Sequence, residues 1–504
     1  MFFEYNTFML FQSLALRVFL IIAVVFICYS FTLAAPFKTL DDEFSVVRNN
    51  LIHDPAHFKE LFTTGYFQDR SYYRPLANVS YWLEYRVYEL NPFGYNLDNL
   101  LLHAANALLV FALVSTLGNP VTGFWVALLF ALHPVQWEAV ANISGRAILL
   151  STFFSLIALI SGWIAVQLRG RLGWLIISLI SFMLALLSKE SGGMVLVLLL
   201  GMWWVSGKLK TYWKTILPYV ALVIVYTSLR HALDITEIYQ TDKIEIWILG
   251  ILSFAYALID LLRLFFFPLD LHFDRSSPFL VSFYDIRVIV AIIFWLVFAA
   301  IMFLYRESLN KQRQFWFGFA LLSIIPVSQA VASIGVQPGR ISVAEHFLYF
   351  ASIGILWWIV EAWQWLMRRV KQSIALLIRL ITAVIIIFFM SVTIEQNMYA
   401  TSEYAMIKRS LSINPANARL QYSMGLLNVI AKRFKEGEMH FHNAVLLDPG
   451  NVRYIISLGK SKCDQGKYDE GIAVYDSIAV PGQFSQLLQE NRRAALRLKN
   501  AQLH

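Results

Sequence analysis

Long apolar runs recur along this chain of 504 residues and constrain its fold more than any other feature. A bilayer core needs roughly 20 mostly apolar residues per helix, and about eleven such runs are present. They lie near 17–35, 99–117, 121–137, 147–168, 172–187, 191–205, 215–230, 287–305, 315–335, 347–366 and 374–394. A twelfth stretch, roughly 246–267, carries Glu245, Asp260 and Arg263 and ends in FFFPLDLHFD. The chain is 58% hydrophobic and 15% charged, which excludes a single soluble globular domain. Aromatic residues at 15% exclude intrinsic disorder. Cys28 and Cys463, far apart, give no disulfide framework. The expectation is a polytopic membrane protein with a soluble part.

Orientation follows from Lys and Arg in short loops. Four loops are basic: Arg169 and Arg171; Lys208, Lys210 and Lys214; Arg306, Lys311 and Arg313; Arg368, Arg369 and Lys371. All four fall in the cytoplasm when the N-terminus is inside, residues 36–98 are outside, and 246–267 is re-entrant or interfacial rather than crossing. The last span then exits outward. The first run, followed by Leu33-Ala34-Ala35, invites a signal-peptide reading, but Glu4 and the lack of a basic residue before Arg17 favour an uncleaved anchor.

From about residue 400 the composition turns charged and small at helical spacing, with self-similarity at a fixed period. Asn414-Pro415-Ala416-Asn417 returns as Asp448-Pro449-Gly450-Asn451, Met424-Gly425 as Leu458-Gly459, and Phe434-Lys435-Glu436-Gly437 as Tyr468-Asp469-Glu470-Gly471. This is a tetratricopeptide signature, in which small residues let paired helices pack closely and Asn/Asp-Pro breaks the chain between units. The domain expectation is therefore a membrane domain over 1–398 and a short α-solenoid over 399–504. The helix at 484–504, with Arg492, Arg493, Arg497 and Lys499, reads as a structural cap with a solvated basic face, or else as a binding surface. Such solenoids present surfaces rather than catalytic sites.

Chemistry is expected at the outer edge of the spans. Asp41, Asp42 and Glu43 follow directly after the first apolar run, where desolvation raises a carboxylate pKa and suits a general base. Neighbouring side chains diverge, so one base and one orienting or acceptor-binding partner is the reasonable division; the alternative is a solvated acidic loop. Tyr73, Arg74, Asn99, His103, His133, Glu138, Arg146, Lys189, Glu190, Arg340, Glu345 and His346 fall on the same side. Ionisable groups within or beside spans are costly and usually functional. Arg, Lys and His here suit a phosphate on a lipid, where they would stabilise charge on a departing phosphate. The plainer readings are an interhelical hydrogen bond for His103, a surface ion pair for Lys189 and Glu190, and a snorkelling helix-start residue for Arg146. No Walker loop, HExxH or CxxC pair is present. Three adjacent acids support a divalent metal only weakly, and no metal site or other cofactor is assigned. No nucleic-acid partner is expected.

The motifs together resemble the transmembrane and tetratricopeptide-repeat O-mannosyltransferases and their prokaryotic relatives. The matching stretches run in order: DDEFSVVRNN, YYRPLANVSYWLEYRVYELNPFGYNLDNLLLH, LLFALHPVQWEAVANISGRAILL, LLSKESGGMVLVLL, FFFPLDLHFD, VAEHFLYFAS and the terminal repeats. The resemblance implies a helical GT-C glycosyltransferase with a cytoplasmic N-terminus and acidic catalytic residues on a long first outer loop. It also implies a polyprenyl-phosphate sugar donor, typically mannose, and inverting transfer to a Ser or Thr hydroxyl of a protein, or to a glycan. The acidic pair falls on Asp41 and Asp42. The chain departs from the family pattern at His346, where the family has a basic residue in its AER-type motif, and at Asn96, where it has histidine. Its repeat array is also short. The compact chain points to a bacterial inner membrane, with the repeats outside the cytoplasm and holding the acceptor. The rival reading is a non-catalytic membrane scaffold whose repeats recruit envelope partners. A transporter ranks third, because charged residues are not spread through mid-span positions.

Overall fold

A computed structural model describes residues 13–67, 72–168, 172–235, 243–328, 335–477 and 483–502. Glu4, Arg169 and Arg171 lie outside the described residues. The chain forms two compact units. One comprises Met1–Leu271, Leu280–Ile334 and Glu345–Ser402, and the other His272–Phe279, Gly335–Ala344 and Glu403–His504. The second unit thus takes in two segments, His272–Phe279 and Gly335–Ala344, that lie well before the repeats in sequence.

The first unit is helical. Among the described residues eight helices are long and apolar enough to cross a membrane: Leu14–Ala34, Pro92–Leu117, Ile143–Gln167, Leu209–Ala232, Ile244–Phe266, Ile286–Tyr305, Glu345–Met367 and Gln372–Ala400. The pair Pro120–Leu132 and Pro134–Ala141, bent by 57°, makes a ninth if counted as one span. The bend has a local cause. His133 precedes proline and is driven into extended backbone, which ends the helix before it.

The eleven apolar runs all carry helix, but not all carry a helix of spanning length. Leu172–Ser188 and Glu190–Val205 are shorter, divided at Lys189, whose backbone is extended. Lys311–Ile324 is 14 residues long. The stretch near 246–267, expected not to cross, is a continuous helix of 23 residues. Its charge is contained, because Arg263 pairs with Asp260 at 2.8 Å and with Asp270 at 2.9 Å. This helix and the preceding one finish at the same end of the unit. Tyr226 donates to the carbonyl of Tyr73, and Phe265 stacks on His133 with ring centroids 4.2 Å apart.

The second unit begins with a small antiparallel sheet in which Arg340–Ser342 lies between Ser276–Pro278 and Gly335–Gln337, with Ser277 opposite Ile341. Helices Glu403–Ile413, Ala418–Ile430, Phe434–Leu447, Val452–Cys463, Tyr468–Asp476 and Gln483–Gln502 follow. Residues read as repeats in the sequence occupy equivalent places. A Cβ on Gly425 would meet the Phe441 ring at 2.6 Å, and one on Gly459 would meet the Tyr475 ring at 2.3 Å. Small residues are thus required where a second helix lays its ring on the first. The last helix is tied down by Arg492 to Asp476 at 2.6 Å and by Lys499 to Asp469, so much of its basic face is spent on the neighbouring helix.

Candidate functional site

The first loop is drawn onto the helix ends by a buried carboxylate. Asp42 accepts the backbone N–H of Lys38 at 3.1 Å and that of Ser144 at 2.9 Å. Lys38, itself buried, donates to the carbonyl of Ala141 at 2.7 Å. Burial pushes the Asp42 carboxyl above its usual range, while the Lys38 charge and the two N–H groups oppose that rise. The 142–145 turn must be tight to present the Ser144 N–H. A Cβ on Gly145 would lie 2.1 Å from the carbonyl oxygen of Ala139. Asp41 is half-buried beside this anchor, and its backbone carbonyl accepts from Ser45 at 2.8 Å. Glu43 turns away to pair with exposed Arg48 at 2.5 Å. The three acids therefore divide into an anchored, a half-buried and a locally paired group.

Arg74 lies next to them. Its guanidinium donates through Nε and Nη2 to Glu190 at 3.3 and 3.1 Å and sits 4.3 Å over the Tyr72 ring. Tyr66, fully buried, interacts electrostatically with Asp41, Asp42 and Arg74, and so marks where acids and base meet. Glu190 feels Arg230 as well. Tyr73 is structural in its contacts: its hydroxyl donates to the Phe62 carbonyl at 2.9 Å.

A second pairing closes the same end. Glu138 accepts the backbone N–H of His346 at 3.0 Å, with the His346 ring Nδ1 at 3.1 Å. Trp137 donates to buried Glu345 at 2.6 Å. Lys189, buried, senses the charges of Arg74, Glu190 and Glu138 and so stands between the two pairings.

Several expected ligands are engaged elsewhere. All three guanidinium nitrogens of Arg146 are used, by Glu84 at 2.6 Å, Asn99 Oδ1 at 2.6 Å and the Tyr95 carbonyl at 2.9 Å. Asn99 donates in turn to the Asn142 carbonyl at 2.7 Å. His103 uses both ring nitrogens between helices, with Nδ1 2.8 Å from the Tyr349 hydroxyl and Nε2 3.2 Å from the Ala131 carbonyl. His133 Nδ1 accepts the Val135 N–H at 3.2 Å, capping the turn. Arg340 belongs to the second unit, where it donates to Ser276 Oγ at 2.8 Å and to Asn414 at 3.3 Å.

Sequence reading did not single out Lys38, Tyr66, Glu84, Tyr226 or Arg230. Lys38 alone carried a signal, as the one cation between the first apolar run and the acidic triplet. Among the described residues no group of three or more His, Cys, Asp or Glu is arranged to hold a metal ion.

No protein-family model matches the chain. Individual proteins do. The chain is 26% identical over 433 residues to Protein O-mannosyl-transferase F38B6.6 of Caenorhabditis elegans, covering 81% of this chain and 59% of that protein. It is 26% identical over 501 residues to Protein O-mannosyl-transferase TMTC3 of Mus musculus, covering 90% of this chain and 54% of that protein. Over a shorter stretch of 129 residues it is 37% identical to Protein O-mannosyl-transferase TMTC2 of Homo sapiens, covering 25% of this chain and 15% of that protein. The resemblance carried by the motifs is thus found over most of this chain, which spans a little over half the length of the first two relatives.

Proposed function

We propose that this chain is an integral-membrane glycosyltransferase of the GT-C type, transferring a mannose-like sugar from a polyprenyl phosphate to a protein Ser or Thr hydroxyl. The observation that carries the reading is the convergence of Asp41 and Asp42 with Arg74, Glu190 and Lys189 at one end of the helices. The similarity to proteins named O-mannosyl-transferases supports the same reaction class.

In this reading the acceptor hydroxyl attacks the anomeric carbon, its proton passes to Asp41, and the sugar–phosphate bond breaks with inversion. Asp41 takes the base role because Asp42 is spoken for by two N–H donors and lies beside Lys38. Asp42 holds the loop, and a well-placed base contributes typically 10² to 10⁴ in rate. Arg74 and Lys189 offset the charge developing on the leaving phosphate, with His346 beside them.

The site faces outward and the N-terminus lies in the cytoplasm, as the basic loops favour. A bacterial inner membrane fits this arrangement. Residues 276–278 pair with 340–342 and so share a side, which agrees with an even number of crossings between them. The repeats, read as tetratricopeptide units, hold the acceptor near the site and raise its effective concentration.

The test is transfer of radiolabelled sugar from a panel of polyprenyl-phosphate monosaccharides to protein in membrane extract. Wild-type transfer that disappears in Asp41→Asn supports the enzyme. Full activity in the Asp41→Asn/Asp42→Asn protein would refute the acid assignment, and no transfer by the wild type from any donor would leave the scaffold reading.

A further inference from the structure

Cations at the two ends of the first unit meet different surroundings. At the end that holds Asp41 and Asp42, Arg74 pairs with Glu190 and Arg146 with Glu84. The Arg146–Gln167 helix runs from there to the other end, about 33 Å away. There Lys208 donates to the Val166 carbonyl at 3.2 Å and to Gln167 Oε1 at 2.7 Å, and Gln312 donates to the Leu117 carbonyl at 2.9 Å. These bonds gather the basic loops at one face.

The acids beside these loops are already engaged, Glu307 by Arg306 at 3.5 Å and Glu361 by Arg313 at 3.0 Å. Lys210, Lys214, Lys311 and Arg369 are exposed, and none pairs with an acid among the described residues. Three of them lie against indole rings instead. The Lys311 ammonium is 5.7 Å from the centre of Trp204, that of Lys214 is 5.9 Å from Trp213, and the Arg369 guanidinium is 4.4 Å from Trp365. Trp204 also adjoins the Lys210–Lys214 turn, because the Lys208 N–H bonds the Trp203 carbonyl at 2.9 Å just before it. A charge that only orients the chain needs no such seat. From exposed Trp213 an apolar stripe continues through exposed Leu217 and Ile224 along the Leu209–Ala232 helix.

We propose that this tryptophan-lined basic end binds anionic phospholipids. The headgroup phosphate lies between Lys311 and the Lys210–Lys214 turn, and an acyl chain lies along Leu217 and Ile224. Charge complementarity selects the class, since lysines free of acids attract a net negative headgroup. A zwitterionic headgroup brings its own cation to a surface with no free acid to receive it. A soluble anion would use the lysines but leave the Trp213–Leu217–Ile224 stripe uncovered, whereas tryptophan beside an apolar stripe suits the boundary between headgroups and hydrocarbon. The inference stands apart from the glycosyltransferase reading, whose residues lie at the opposite end of the helices.

The experiment extracts the full-length protein from bilayers of equal phosphatidylglycerol and phosphatidylcholine with the same acyl chains, and quantifies the retained lipid by mass spectrometry. Wild type is expected to retain phosphatidylglycerol about tenfold over phosphatidylcholine, a preference that shrinks as salt is added to the wash. Lys210→Gln/Lys214→Gln/Lys311→Gln should retain the two lipids equally, while Lys210→Arg/Lys214→Arg/Lys311→Arg should keep the preference. Lys432→Gln/Lys435→Gln/Lys460→Gln removes the same charge from the repeats and should behave as wild type. Thermal midpoints in phosphatidylcholine establish folding, and Lys311→Gln alone, the milder change, should lower the preference about threefold. No preference in wild type, or one that survives the loss of Lys210, Lys214 and Lys311, would overturn the site. Equal loss in both glutamine triples would reduce it to net charge and overturn it as well. Inorganic phosphate that displaces the retained phosphatidylglycerol at matched ionic strength would overturn the lipid assignment in favour of a soluble anion.

Discussion

Asp42 and Ser144 are joined by a 2.9 Å hydrogen bond from backbone N–H to carboxylate, across 102 positions of sequence. That bond fixes the acidic loop to the turn that starts the Arg146–Gln167 helix. It separates the two adjacent acids into one that holds the loop and one beside it. The division has measurable consequences.

Asp41→Asn is expected to lower sugar transfer by about 10² to 10⁴ with little change in thermal midpoint, since the side chain is half-buried and not the anchor. Asp42→Asn should lower both, because half of the amide would turn a donor toward the Lys38 or Ser144 N–H. Parallel measurement of transfer and thermal unfolding in detergent checks the pair. Equal loss of stability in both variants would refute the division.

Gly145→Ala places a methyl group against the Ala139 carbonyl oxygen, a backbone atom that cannot step aside. The expected cost is about 1–3 kcal/mol, typical of overpacking. The same variant should lose activity through displacement of the Ser144 N–H. A neutral Gly145→Ala in both assays would show that the turn can relax.

Arg146→Met strands buried Glu84, whose partner it is at 2.6 Å, and breaking a buried pair costs about 3–5 kcal/mol. Adding Glu84→Leu should recover more than half of that loss. The measurement is thermal unfolding of the two single variants and the double. Unchanged stability with weakened donor binding would instead make Arg146 a ligand.

Glu438 predicts an acid-sensitive repeat unit. Its partial burial works against the charge, but hydrogen bonds from Lys462, Lys467 and Gln465 outweigh that and hold its carboxyl down at about 2. With the folded pKa below the ordinary 4.5, the ionised carboxylate stabilises the fold above that value, and the contribution fades as pH falls toward about 2. Solvent screening limits the effect to about 1 kcal/mol or less. Wild type should therefore exceed Glu438→Gln in thermal midpoint at pH near 6 and lose that margin at pH near 2.5. A margin unchanged by pH would refute the assignment.

Much of this molecule was legible in one dimension. Apolar runs of bilayer length can only be buried in lipid or in one another, so the helical, multi-span class followed from counting. The repeat was equally readable, because Gly425 and Gly459 must stay small wherever a ring from the next helix lies on them. The acidic triplet and the Arg74 and Lys189 positions stood out because charge beside an apolar run is expensive.

Tertiary structure decided the rest, since charge in a sequence does not reveal its partner. Arg146 and Arg340 looked like free cations until Glu84, Asn99, Ser276 and Asn414 were seen to occupy them. Run length did not reveal where a helix stops, so the extended backbone at Lys189 was invisible. The sequence by itself determined which residues must avoid water; three-dimensional packing decided which polar groups satisfy one another.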